Sequence, residues 1–122
     1  MTVVADSSAL LAFLQSEDGT SVVEEALAGD VRCGAANWSE VAQKVIGAGR
    51  DWHLVRALLE SYAVRIEPVV TEDAEWAASR WRRGEGLSLG DRLCMALAER
   101  LDTDVLTADQ AWGTADRVQQ IR

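Results

Sequence analysis

Four carboxylates in this chain, Asp6, Glu40, Asp91 and Asp109, stand at points where the surrounding sequence would bring them together. Asp6 ends the β-branched run Thr2 to Ala5, and Asp109 follows a second short run, Val105-Leu106-Thr107, by two residues. Glu40 falls in the first turn of the helix expected to begin at Asn37, and Asp91 in the first turn of the helix opened by Ser88. In a parallel sheet, strand ends and the starts of the helices that follow them share one rim, and ligands bind there where the chain order reverses. Gathered on that rim, the acids repel: two unit charges about 4 Å apart cost on the order of 4 kcal/mol at an effective dielectric near 20. A divalent cation removes the penalty. Carboxylates with retained water suit magnesium, with manganese able to substitute, rather than zinc with its histidine and cysteine ligands. The chemistry that follows is hydrolysis, in which the cation lowers the pKa of a water and stabilises charge on a phosphodiester. The only histidine, His53, lies in a helix away from these motifs, which argues against a histidine acid and base pair driving attack by a ribose 2′-hydroxyl.

Each acid also has a purely structural use. Asn37-Trp38-Ser39-Glu40 and Ser88-Leu89-Gly90-Asp91 both have capping-box spacing, Asp6 can serve as an N-cap, and Asp109 can complement a helix dipole. Four caps do not require all four acids to lie on one rim, whereas a metal site does. The two uses are compatible, since a helix start holds a carboxylate ionised.

The elements that must position these residues can be read along the chain. Strand Thr2 to Ala5 feeds a helix Ser7 to Leu14. A helix Ser21 to Ala28 follows, in which Ser21 and Glu24 have capping-box spacing and Gly29 supplies a stop. Strand Val31 to Gly34 leads to a helix from Asn37 to about Ile46. From Asp51, Leu54, Val55, Leu58, Leu59 and Tyr62 recur at helical spacing and predict one buried face. Val64 to Val70 contains the only proline, Pro68, and reads as a strand near an edge. Thr71 caps a helix to about Arg83, and Ser88 opens another to Leu101. Strand Asp104 to Thr107, a short helix Ala108 to Trp112 and a last strand Val118 to Ile121 complete the chain. Strands alternating with helices of this length predict an α/β domain, a parallel sheet with helices on both faces.

The 122 residues, 48% of them apolar, suffice for one core and predict a single domain over 1–122, with no linker or repeat. The apolar stretches Val3 to Ala5 and Ala9 to Leu14 are too short to span a membrane, and no leader pattern precedes them, so a cytoplasmic location is expected. Cys33 and Cys94 have neither a metal-ligand spacing nor disulfide density and read as buried small apolar residues. A net charge of −8 opposes binding to phosphate unless the basic residues are concentrated. They are: Arg80, Arg82, Arg83 and Arg92 bunch together, and Lys44 is the only lysine. Arginine suits bidentate phosphate contacts, so Arg92, Arg82 and Arg83 are the candidate residues for binding a phosphate backbone. The tryptophans Trp38, Trp52, Trp76, Trp81 and Trp112 are assigned to core packing, with Trp38, two residues from Glu40, as the one to line the pocket.

The blocks Val4-Ala5-Asp6-Ser7-Ser8-Ala9-Leu10-Leu11-Ala12, Asn37-Trp38-Ser39-Glu40-Val41, Leu87-Ser88-Leu89-Gly90-Asp91-Arg92-Leu93-Cys94 and Val105-Leu106-Thr107-Ala108-Asp109-Gln110-Ala111-Trp112 resemble a VapC-type toxin of the PIN-domain ribonucleases. The resemblance covers essentially the whole chain. It implies a three-layer α/β/α sandwich around a mainly parallel sheet of about five strands, magnesium-dependent endoribonuclease activity, a homodimer, and a VapB-type antitoxin that blocks the pocket. It places Asp6, Glu40, Asp91 and Asp109 on the four acidic positions, with Ser8 and Thr107 as polar supports. After Trp112 the chain departs from the pattern by a shortened C-terminal segment, Gly113 to Arg122, which contains Asp116, a further supporting candidate. The resemblance also points to an antitoxin groove along the leucine faces Leu10 to Leu14 and Leu54 to Leu59, which read first of all as core. Two alternatives remain at this level. A catalytically silent PIN-like binding module would keep the fold without the activity. A phosphoacceptor receiver domain shares the length and α/β alternation but needs two acids after its first strand and a lysine after its fifth, where this chain has Asp6 alone and Lys44 in an early helix.

Overall fold

A computed structural model describes all residues, 1–122. The chain runs β1 (Thr2–Ala5), α1 (Ser7–Leu14), α2 (Thr20–Leu27), β2 (Asp30–Gly34), α3 (Ala35–Gly47), α4 (Trp52–Ser61), β3 (Arg65–Glu67), α5 (Thr71–Arg80), α6 (Leu89–Leu101), β4 (Val105–Thr107), a 3₁₀ turn (Gln110–Trp112) and β5 (Val118–Gln120). The five strands form one sheet in the order β3-β2-β1-β4-β5, every neighbouring pair parallel. β1 is central and the order reverses beside it, because β2 pairs with one edge of β1 and β4 with the other. Residues just past β1 and β4 therefore open onto the crevice that such a reversal creates.

Alternation along β1 and β4 divides the core between the two faces of the sheet. Ala5 and Leu106 join Ala9, Leu10, Val23, Val31, Cys33, Val41 and Leu59 on the face covered by α1, α2 and α3. Val4 and Val105 join Cys94, Met95, Leu97, Ala98 and Trp112 beneath α6. The result is the three-layer sandwich. Pro68 directly follows β3, which is an edge strand, as a residue without an N–H requires.

On the α6 face, two arginines fasten α5. Arg100 donates to both oxygens of the buried Asp73 (3.0 and 3.2 Å) near one end, and Arg92 donates to the Ala77 carbonyl (2.7 Å) near the other. Held at both ends, α5 delivers the loop that leads to Ser88. The Asp73 carboxylate also accepts from Val70 N–H (3.2 Å), so Val70, rather than Thr71, is the N-cap of α5.

Several local expectations are corrected. α2 starts at Thr20 after Gly19, whose φ of 92° and close approach to the Ile121 carbonyl (2.7 Å from where a Cβ would stand) require glycine, so the Ser21–Glu24 box does not form. α3 starts two residues early, with Gly34 as N-cap, which moves Asn37 inside the helix and buries it. α5 stops at Arg80, where the guanidinium forms a two-pronged pair with Glu85 (2.6 and 3.0 Å) and leaves Arg82 and Arg83 in a loop. α4 does not bury its whole apolar stripe: Leu59 is buried, but Leu54 is 70% and Leu58 44% exposed, because α4 packs on α3 at the outside of the layer. Trp38 packs edge-on against Trp52 with ring centroids 5.2 Å apart, and thus joins α3 to α4. Trp81 is the tryptophan left outside the core, 52% exposed.

Candidate active site

Asp6 is the residue immediately after β1 and the N-cap of α1. Its Oδ1 accepts from Ala9 N–H (2.8 Å) and from the Ser8 hydroxyl (2.7 Å), and its Oδ2 accepts from the Thr107 hydroxyl at the end of β4. Both hydroxyls are themselves oriented by backbone, since Ala108 N–H donates to Ser8 Oγ (2.8 Å) and Asp109 N–H to Thr107 Oγ1 (3.0 Å). Two strands thereby fix one carboxylate in a single orientation. Asp6 is 3% exposed. Burial pushes its carboxyl up to about 6, against the lowering effect of Thr107, Ala9 and Ser8, and the charge of Asp91 adds to the rise.

Asp91 sits in the first turn of α6 in the capping box read from sequence: Ser88 Oγ accepts from Asp91 N–H (3.1 Å), and Asp91 Oδ2 accepts from Ser88 N–H (2.9 Å). Glu40, one turn into α3, reaches across to α6. A Cβ on Gly90 would lie 3.2 Å from each of its carboxylate oxygens, so the carboxylate rests against the residue before Asp91. Asp6, Glu40 and Asp91 share one electrostatic neighbourhood, as all three act on the buried thiol of Cys94. The two cysteines are free and buried, as expected, and burial pushes Cys33 up to about 12. Neither is a nucleophile at neutral pH.

Asp109 lies just beyond Thr107 and is exposed; its Oδ1 accepts from Ala111 N–H (2.9 Å) and caps the 3₁₀ turn. Asp116, at φ 56° before β5, lines a cavity of about 420 Å³ with Trp76, Arg80 and Trp112. Arg82 is held to the Ser79 and Trp81 carbonyls (both 2.9 Å), and Arg83 lies over the Trp81 ring at 5.8 Å. The Arg92 guanidinium donates to the Ala77 carbonyl (2.7 Å).

No three acids, nor any mixture of histidine, cysteine and acid, converge closely enough to hold an ion as they stand. Like charges separate when nothing neutralises them, and Asp91 and Asp109 are each drawn to a helical cap. The donor set nevertheless fits a hard divalent cation: it is all oxygen, and its most buried member is raised by burial, a cost that a nearby cation offsets. The bare Cα of Gly90 also leaves the Glu40 carboxylate room against α6.

The PIN domain family matches residues 3–118 of the chain. The chain belongs to the PIN-domain family. It is 33% identical over 108 residues to VapC ribonuclease Mb2780c of Mycobacterium bovis, and equally to ribonuclease VapC42 of Mycobacterium tuberculosis, covering 80% of this chain and 82% of each relative. Solved structures of the same fold include a toxin-antitoxin complex from Klebsiella pneumoniae (TM-score 0.79, 17% identity, 98% of both chains) and VapBC2 from Rickettsia felis bound to a DNA fragment from its promoter (TM-score 0.69, 11% identity, 98% of both chains). In this PIN domain, the residue that sequence reasoning missed is Asn37, read as an N-cap but placed 1% exposed between Glu40 and Gly90. Its spacing of three from Glu40 on one helix was the available signal.

Proposed function

We propose that this PIN domain is an endoribonuclease that hydrolyses RNA phosphodiester bonds, the toxin half of a toxin-antitoxin pair, and that it requires magnesium or manganese. The observation that carries the reading is the buried Asp6 carboxylate, fixed by Ser8, Thr107 and Ala9 at the reversal of strand order and facing the charge of Asp91. The kinship with VapC ribonucleases supplies the substrate class.

Asp6, Glu40 and Asp91 would hold the cation, with Asp109 at the rim's outer edge completing the acidic set. When bound, the cation supplies Lewis acidity that makes a water a competent nucleophile and stabilises charge on the phosphodiester. Ser8 and Thr107 keep both Asp6 oxygens aimed by giving each a hydrogen bond. The capping box holds Asp91 at the start of α6, where its Oδ2 accepts Ser88 N–H. Arg82 and Arg83, in the loop before α6, would draw the phosphate backbone to the rim despite the net charge of −8.

The partner is a VapB-type antitoxin, and the exposed stripe of Leu54 and Leu58 on α4, with Tyr62 at its C-cap, is the apolar surface we assign to it. The homodimer is read from the resemblance, and mass in solution checks it: a monomer at high micromolar concentration contradicts it. No helix is long and apolar enough to cross a membrane.

Cleavage of total RNA with magnesium, with EDTA, and by Asp6→Asn and Asp91→Asn variants tests the activity. Discrete magnesium-dependent fragments that vanish in both variants are expected. Fragments that persist in them would sink the carboxylate site, and the silent binding module would be left standing if the wild type neither cleaves RNA nor binds the cation.

A further inference from the structure

Asn37 lies in the first turn of α3, fully buried, and its side chain serves two elements at once. Nδ2 donates to Glu40 Oε1 at 2.9 Å and to the Gly90 carbonyl, 53 residues further on, at 3.2 Å. Oδ1 is buried and has no donor. The opposite amide orientation would set Oδ1 against a carboxylate and a carbonyl, both acceptors, so the partners dictate which way the group faces. A buried acceptor without a donor is costly and rare enough to call for an explanation. Here it accompanies an amide that presents both its N–H bonds to Glu40 and to the start of α6.

The seat is shaped for this arrangement from both sides. A Cβ on Gly34 would stand 3.1 Å from Asn37 Oδ1, and a Cβ on Gly90 would stand 3.2 Å from both oxygens of Glu40. The Glu40 carboxylate is therefore held between the Asn37 amide and the bare Cα of Gly90, next in sequence to Asp91.

We infer that Asn37 is a positioning residue that ties the Glu40 carboxylate to the first turn of α6, with the missing side chain of Gly90 as the other half of the clamp. The pair sets the separation of Glu40 from Asp91, and so the fit of the site to a divalent cation. An α3 that shifted against α6 would carry Glu40 away from Asp91, and the shared amide opposes that shift. The inference rests on the metal-site reading above, and extends it to two residues that carry no charge.

The test is Mn²⁺ binding by the full chain without RNA, followed by the paramagnetic signal of the free ion. Asn37→Ala, Gly90→Ala, Glu40→Gln and the double variant Asn37→Ala/Glu40→Gln are compared with wild type. Loss of a residue that orients a metal ligand weakens binding by about tenfold or more, which is expected for Asn37→Ala and Gly90→Ala. Once Glu40 is neutralised, removing Asn37 should change affinity by less than about twofold, because little is left for it to position. Wild-type affinity in both single variants, or losses that simply add in the double variant, would overturn the clamp. Should Asn37→Ala fail to fold by circular dichroism, Gly90→Ala decides, since alanine is the better helix former and Gly90 has no positive φ. A wild-type chain that binds no Mn²⁺ removes the metal site itself and the clamp with it, an outcome distinct from wild-type-like variants.

Discussion

The hydroxyl of Thr107 donates to the buried carboxylate of Asp6 across 101 positions of sequence. This bond joins β4 to the end of β1 at the reversal of strand order, and gives the Asp6 Oδ2 atom a side-chain donor. Replacing Thr107 by valine keeps the shape and removes the donor. Stability at pH 7 should fall by about 1–3 kcal/mol, the cost of leaving a buried acceptor unpaired, while Thr107→Ser should recover most of it. Urea denaturation of the metal-free protein measures both, and equal stability of valine and wild type would contradict the assignment.

Asp6 also makes a signed prediction for pH. Its folded carboxyl is raised from 3.8 to about 6, so its contribution to stability is fully present below pH 3.8 and is lost as pH rises through about 6. The loss is on the order of 3 kcal/mol. In EDTA, Asp6→Asn should flatten the fall in stability between about pH 4 and pH 7. A profile as steep as that of wild type would mean that Asp6 is not the titrating group.

Magnesium should act on the same quantity in the opposite sense. A ligand that binds only the folded chain stabilises it by RT ln(1 + [L]/Kd), about 2.7 kcal/mol at a hundredfold excess over Kd. Thermal melts with and without the ion should show this gain in wild type and a much smaller one in Asp91→Asn.

The two late acids should behave differently. Asp109→Asn should leave stability within about 0.5 kcal/mol, because an asparagine oxygen still caps the 3₁₀ turn, yet reduce RNA cleavage more than tenfold. Asp116→Asn should leave cleavage within about twofold, since Asp116 lines the cavity beside Arg80 and Trp112. A reversed order in a cleavage assay would reassign the fourth acid to Asp116.

On α4, Leu54→Lys should change stability by no more than about 0.5 kcal/mol, as expected for an exposed position, and should abolish co-purification with the proposed antitoxin. Leu59→Ala, one turn further and fully buried, should instead cost about 2–5 kcal/mol. Retention of the antitoxin by Leu54→Lys would place its docking surface elsewhere.

Helix starts show where sequence reading holds and where it fails. Ser88 and Asp91 form the predicted box because both bonds lie within four consecutive residues, and no distant packing competes with them. Asn37 and Glu40 have the same spacing, but Gly34 takes the cap because β2 delivers the chain into α3 two residues early, and the core encloses Asn37. The α4 stripe was legible as helix and misleading as core, since periodicity tells which residues share a face and not whether that face meets a partner.

By itself the sequence determined the α/β alternation, the strand near Pro68, the buried cysteines and the family to which the acids at 6, 40, 91 and 109 belong, because each of these rests on local pattern or on motif. Only the tertiary structure decided that Thr107 and Ser8 both grip Asp6, that Asn37 binds Glu40 to Gly90, that Arg92 braces α5, and that Asp116 lines a cavity with Arg80 and Trp112. Those relations join residues far apart in the chain, and their distances are set by how the sheet and its two helical layers pack, which no spacing along the sequence encodes.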